Sequence, residues 1–150
     1  MRVLAVAAAV AVTVSGLAGA AASPGSTSRT SDRAVHIVKL VGHARGDVDL
    51  GNNRFAATDV VRAHGKVVGY EVGSGRFFPK QEKIVIRGAL ALKGGTILTR
   101  VTQDSLSDDF HFSGPILGGS GKYKGVKGTV RSHSAATNND ITFLTLRYHF

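Results

Sequence analysis

Residues 82–102 read EKIVIRGALALKGGTILTRVT, and this stretch decides the fold class. Apolar and charged side chains alternate in its first half, where one face carries Ile84, Ile86, Leu90 and Leu92 and the other carries Lys83 and Arg87. A repeat of two residues is typical of a β-strand with one buried face. The Lys-Gly-Gly sequence at 93–95 predicts a tight turn into a second strand at 96–102. The stretch therefore predicts an antiparallel hairpin.

The same alternation recurs along the chain. It predicts strands at residues 35–43, 54–61, 66–72, 82–92, 96–102, 109–117, 122–132 and 141–150. No segment shows the 3.6-residue apolar stripe of a capped helix. Eight strands indicate an all-β domain, either a sandwich or a barrel. Because the strands have similar lengths and follow one another in sequence, they favour a single eight-stranded antiparallel up-and-down β-barrel. Such a barrel is filled by its own side chains or holds one small ligand.

The first residues have the pattern of an export signal. Residues 1–22 contain one early positive charge at Arg2, an apolar run and a small-residue A-x-A-like end, which predicts a cleaved secretory signal peptide. A membrane anchor is the alternative, but the run is rich in Ala and Gly and no stop-transfer charges follow. We expect residues 23–34 to form a flexible leader and residues 35–150 to form the barrel domain. The mature protein is expected to be secreted, with no membrane span.

Composition and charge limit the possible chemistry. The chain has no cysteine, which excludes disulfides, cysteine-ligated metals and thiol catalysis. Its net charge of +9 suits an anionic polymer or cell envelope, and the densest basic patch comprises Lys122, Lys124, Lys127 and Arg131. No nucleic-acid motif accompanies the charge, so specific nucleic-acid binding is not expected. The histidines His111, His133 and His149 lie on three consecutive predicted strands, but we interpret them as dispersed surface residues and predict no metal site.

Residues 116–128 read ILGGSGKYKGVKG and combine five glycines with three lysines and one tyrosine. The segment is not a phosphate-binding loop, because Ile116 and Tyr123 stand where that motif needs Gly and Ser or Thr. It resembles the V-x-G-G-T-G-x-[FY]-x-x-[AV]-[RK]-G signature of dirigent proteins and allene oxide cyclase-like barrels. Residues 55–69 (FAATDVVRAHGKVVG) and the hairpin at 91–97 are similar to two further blocks of this family. Structural turn positions are then expected at Gly118, Gly119, Gly121, Gly125 and Gly128.

The resemblance implies a calycin-like barrel with a largely apolar cavity and no metal or organic cofactor. Family members bind a small reactive molecule and guide its cyclisation or coupling, which is catalysis by orientation. Homo-oligomers also occur among them. This chain lacks the Cys pair that relatives often carry, has Tyr70 rather than Arg after Gly69, and retains only Asp59 of the dirigent Asp-Asp pair. These departures argue against radical coupling.

Four residues are candidate ligand contacts. Asp59 is either a carboxylate at the barrel mouth that orients a ligand or moves a proton, or a turn residue. Tyr70 is either a hydrogen-bonding group in the cavity or a core residue, and Glu71 is then expected outside. Tyr123 is expected to pack over the glycine turn. Lys127 either pairs with Asp59 or an anionic ligand, or lies on a solvated face.

Two functions remain open from the sequence. The first is a secreted barrel that binds a small hydrophobic molecule. It either guides a reaction of that molecule, as an isomerase or cyclase does, or binds the molecule without catalysis. The second is a non-catalytic extracellular protein that binds an anionic polymer or the cell envelope through its basic surface.

Overall fold

The alternating strands close into a barrel in a computed structural model of the protein, which describes residues 34–103, 111–135 and 138–150. The strands are β1 (His36–Gly51), β2 (Arg54–Ala63), β3 (Lys66–Phe78), β4 (Lys83–Leu92), β5 (Gly95–Gln103), β6 (His111–Gly119), β7 (Lys127–Ala135) and β8 (Asn138–His149). Each strand pairs antiparallel with the next, and β1 also pairs with β8. The predicted all-β, eight-stranded antiparallel barrel is therefore confirmed.

Several strand boundaries differ from the sequence prediction, most of all in β1, in β7 and in β3, which continues to Phe78 and not only to residue 72. Strand β1 continues to Gly51 through a register shift between Ala44 and Gly46, which the alternation alone does not reveal. Strand β7 begins at Lys127 and not at residue 122, because Gly121–Tyr123 forms a 3-10 turn. Gly121 and Gly125 have φ values of 58° and 83°, in the left-handed region where glycine is the least strained residue. The glycines thus interrupt a pattern that otherwise resembles one continuous strand.

The glycine-rich turn packs against the β4–β5 hairpin. The Lys122 amide donates to the Gly94 carbonyl at 2.9 Å, and the Ser120 amide donates to the Thr96 carbonyl at 2.8 Å. A Cβ on Gly121 would collide with the Gly94 carbonyl oxygen, so only glycine allows this approach. We call this end of the barrel, with the turns at 64–65, 93–94 and 121–125, the floor end.

The half of the barrel next to the floor end is filled by apolar side chains. Its core includes Leu40, Val61, Leu90, Ile97, Val130 and Leu146, each at most 4 % exposed. Removing such a side chain from water stabilises the fold by about 1.5–3 kcal/mol. Tyr123 and Tyr148 pack edge to face below this core, with ring centroids 6.3 Å apart. The floor half is therefore a solid core and not a ligand space.

The opposite half has inward-facing residues of both kinds, small at Ala57 and Gly73 and large at Phe55 and Ile86. We call it the mouth half; its end carries the turns at 52–53 and 79–82. Ala57 and Gly73 face each other across β2 and β3 on the inner wall, and both are partly exposed. A Cβ on Gly73 would meet nothing closer than Ile86 Cγ2, at 3.5 Å. Solvent therefore reaches part of the inner wall at this end, although Val101 and Gln103 on β5 are buried there. No helix in the described part of the chain is long and apolar enough to cross a bilayer.

Candidate functional site

Two carboxyl groups lie on the inner wall where the solid core meets the open mouth half. Asp59 on β2 is directly opposite Glu71 on β3. On the same inner face, the next residue pair toward the floor end is Val61 and Gly69. The next pair toward the mouth is Ala57 and Gly73. The pair therefore stands on top of the apolar core and below the small-residue part of the wall. We call these two residues the carboxyl pair.

Glycines on the neighbouring strands make room for the carboxyl pair. A Cβ on Gly42 of β1 would lie 2.8 Å from Asp59 Oδ2. A Cβ on Gly88 of β4 would lie 3.0 Å from Glu71 Oε1 and 2.9 Å from Thr99 Oγ1. Such distances are shorter than carbon–oxygen van der Waals contacts, so each carboxyl group occupies the space that an ordinary side chain would take. The fold thus accommodates two acidic groups inside the wall by omitting the side chains beside them.

Burial makes Glu71 an unusual acid. The pKa of Glu71 is raised from its ordinary value of 4.5 to about 7, mainly by burial and to a smaller extent by the negative charge of Asp59. Burial also raises the pKa of Asp59, whereas the nearby His43 imidazole opposes that rise. In the described part of the chain, neither carboxylate forms an ion pair. Glu71 can therefore donate or accept a proton near neutral pH, as a general acid or base must.

The predictions for Tyr70 and Glu71 were wrong about which of the two faces inward. Tyr70 lies on the outer wall with 60 % of its surface exposed, while Glu71 is largely buried on the inner wall. Alternation establishes that the two residues lie on opposite faces, but it does not establish which face is inside. The spacing of Asp59 and Glu71 around the turn at 64–65 could have indicated their pairing. Asp59 and Glu71 are separated from that turn by nearly equal numbers of residues, so an antiparallel hairpin places them opposite each other.

The other two candidates lie away from the carboxyl pair. Tyr123 is 6 % exposed at the floor end, and the Lys122 ammonium lies 4.9 Å from its ring centroid. Lys127 is exposed at the start of β7, opposite His149 on β8. It therefore does not pair with Asp59, which lies on the inner wall of β2. Of the four predicted contacts, only Asp59 faces the open half of the barrel.

The five turn glycines differ in their local geometry. Gly118, Gly121, Gly125 and Gly128 have positive φ values. At Gly119 and Gly128 a Cβ would also crowd the backbone, against Tyr123 and Arg147 respectively. These positions shape the floor end and lie outside the mouth half.

The histidines form no metal-ligating cluster. His111 and His133 are opposite each other on β6 and β7, with ring centroids 5.6 Å apart, and His133 stacks on Phe143 at 5.1 Å. His149 lies at the other end of the barrel, opposite Lys127. No three His, Asp or Glu side chains converge within residues 34–103, 111–135 and 138–150.

The fold has relatives among solved structures. A pyocyanin demethylase superposes with a TM-score of 0.62 at 22 % identity, covering 75 % of this chain and 99 % of its own. A pterocarpan synthase dirigent protein gives a TM-score of 0.62 at 15 % identity, covering 84 % and 97 %. This chain shares the dirigent-type barrel fold. A Diels–Alderase from Streptomyces koyangensis has a TM-score of 0.55 at 15 % identity, covering 79 % of this chain and 70 % of its own.

The structural similarity to these proteins agrees with the family resemblance of the glycine-rich segment at 116–128. The agreement concerns the barrel fold. No family model matches the chain, and no curated protein matches it in sequence. At these identities the likeness establishes the architecture, so the chemistry has to be argued from the carboxyl pair.

Proposed function

We propose that the mouth half binds a small, mainly apolar molecule and that Glu71 exchanges a proton with it while the wall guides a cyclisation or coupling. The observation that carries this proposal is the position of Asp59 and Glu71, directly opposite each other between the solid core and the partly exposed inner wall of the mouth half. A proton donor or acceptor at the end of a confined space can act on a molecule that the wall holds in one conformation.

The two carboxyl groups have different roles in this proposal. Glu71 has the pKa of about 7 and supplies or removes the proton. Asp59 touches the same interior and keeps the pKa of Glu71 raised through its negative charge. The small residues Ala57 and Gly73 leave room for the ligand directly above the pair. The solved structures of a cyclising enzyme and a dirigent protein support this use of the fold.

Ligand binding is tested with Nile red, a neutral apolar dye that fluoresces when it leaves water. Replacing Gly73 with Leu places a bulky side chain in the mouth half and should lower the affinity for Nile red at least about tenfold, which is the effect of losing one good apolar contact surface. Val72→Leu is the matched control, because Val72 is 55 % exposed on the outer wall. Equal affinities of the two variants would contradict binding inside the barrel.

Proton transfer is tested with 5-nitrobenzisoxazole. A base removes its ring C–H proton, the electron pair forms the nitrile, and the N–O bond breaks to release the phenolate, so no other reactant is needed. The rate should rise with pH around a midpoint near 7, set by Glu71. Glu71→Gln should lower it about a hundredfold, the lower range for general base catalysis. The exposed Glu82→Gln is the control, and an unchanged rate in Glu71→Gln would refute the role of Glu71.

We also propose that the protein is exported and that residues 1–22 are removed. The support is the charged, apolar and small-residue order of that segment. Sequencing the N-terminus of protein recovered from the culture medium tests this. A start within a few residues after Ala22 is expected, and retention in the cell with Met1 intact would contradict export.

A further inference from the structure

Four arginines form a line across the outer wall of β2, β3, β4 and β5. Arg54 on β2 is directly opposite Arg76 on β3, and Arg87 on β4 is directly opposite Arg100 on β5. Arg76 is opposite Val85, two residues before Arg87, so the two pairs are diagonal neighbours. We call Arg54, Arg76, Arg87 and Arg100 the arginine line. It is separate from the basic patch that the sequence indicated.

Without a bound partner, the arginine line destabilises the folded protein. Like charges directly opposite each other on antiparallel strands destabilise a sheet, and this wall contains two such pairs. All four side chains are exposed, and no carboxylate in the described part of the chain forms an ion pair with any of them. The carboxyl groups of Asp59 and Glu71 lie on the inner wall of the same strands. Among the described residues, this part of the outer wall therefore carries four positive charges with no carboxylate paired to them.

The arginine line also borders a groove. It has a volume of about 280 Å³, and its lining includes the four arginines, Ser74 and Phe78. The Arg76 guanidinium lies 5.2 Å from the Phe78 ring centroid, which orients it by a cation–π contact. Guanidinium groups bind phosphate oxygens through two parallel hydrogen bonds. The groove is thus a concave surface lined by arginine, the side chain best suited to binding phosphate.

The spacing indicates a polymer and not a single phosphate. Opposite residues on paired strands are separated by about 5 Å and diagonal ones by about 7–8 Å, so the line spans roughly 14 Å across three interstrand spacings. A phosphate centred on one pair of arginines lies one diagonal spacing away from the other pair. A strand that carries a phosphate every few ångströms can contact both pairs. We propose that the arginine line binds a linear phosphodiester polymer through its backbone charges, without reading a sequence.

The proposal is tested with a fluorescein-labelled oligothymidylate, whose binding is followed by anisotropy at several salt concentrations. Four phosphate contacts on a single strand predict that log K falls against log salt with a slope of about −2.8, and two contacts predict about −1.4. The variant Arg87→Gln/Arg100→Gln should show the shallower slope. Lys122→Gln/Lys124→Gln removes the same charge from the floor end and should keep the steeper one.

Three outcomes would overturn the proposal. One is an unchanged slope in the arginine variant, and another is the same reduction in both variants, which would indicate net charge rather than this site. The third is tighter binding of a heparin oligosaccharide with the same number of charges, which would assign the surface to sulfate esters. Unchanged circular dichroism of the arginine variant establishes that it is folded.

Discussion

The carboxyl group of Glu71 occupies the space that a side chain at Gly88 would fill. A methyl group at position 88 would come within 3.0 Å of Glu71 Oε1, across the β3–β4 pairing. The glycine is therefore part of the acidic site, although it contributes no chemical group. The same relationship links Gly42 and Asp59, since a methyl group at position 42 would lie 2.8 Å from Asp59 Oδ2.

We expect Gly88→Ala to displace the Glu71 carboxyl group. Overpacking an interior usually costs about 1–3 kcal/mol, and here part of the strain is relieved when Glu71 moves toward the open interior and water. The pKa of Glu71 should then fall from about 7 toward its ordinary value, because burial is the largest cause of its rise. A carboxyl carbon titration by NMR measures this shift.

Gly73→Ala is the control for that substitution. The nearest contact of the added methyl group would be Ile86 Cγ2 at 3.5 Å, an ordinary distance. Glycine inside a strand is less stable than alanine by roughly 0.5–1 kcal/mol, so this variant should be as stable as the parent or more stable. A Glu71 pKa that falls equally in both variants would show that Gly88 has no special relation to the carboxyl group.

Stability should depend on pH through Glu71. The unfolded chain ionises this residue near pH 4.5, whereas the folded protein ionises it near pH 7. Between these values the unfolded state binds fewer protons, so the free energy of unfolding decreases as pH rises through this window. Below pH 4.5 the contribution is fully present, and above pH 7 it is lost. Its size is up to about 3 kcal/mol.

Urea unfolding of the parent and Glu71→Gln between about pH 4 and about pH 8 isolates this contribution. The stability of the parent minus that of the variant should decrease with pH across this window, because the glutamine side chain of the variant does not titrate. A constant difference would mean that Glu71 ionises equally easily in the folded and unfolded states. Glu82→Gln, in the turn between β3 and β4, should follow the parent.

Asp59→Asn should lower the pKa of Glu71 without restoring its ordinary value. The negative charge of Asp59 is the second cause of the shift, and burial, the first, stays in place. In the benzisoxazole assay, the midpoint of the pH profile should therefore move to lower pH while the catalytic base is retained. Loss of all base activity in Asp59→Asn, with the fold intact, would instead assign the proton transfer to Asp59.

The sequence predicted the architecture well because alternation and glycine turns are local signals. The hairpin at 82–102 became β4 and β5 with nearly its predicted limits. The inward face could not be predicted in the same way, since Tyr70 and Glu71 alternate equally well with either one inside. Burying Glu71 is unfavourable for the residue taken alone, and the space beside Gly88 on another strand accommodates its carboxyl group. The site thus depends on contacts between strands that periodicity does not encode.

The arginine line predicts opposite effects on stability and on binding. Arg87 and Arg100 repel each other across β4 and β5, so Arg87→Gln/Arg100→Gln should raise the free energy of unfolding by about 0.2–1 kcal/mol while it weakens binding of the phosphodiester probe. The stabilisation should shrink in high salt, because salt screens the exposed charges of the parent. Thermal melting at low and high salt measures both effects. If the variant melts at a lower temperature than the parent, these arginines stabilise the wall, and the argument that they are retained for a ligand fails.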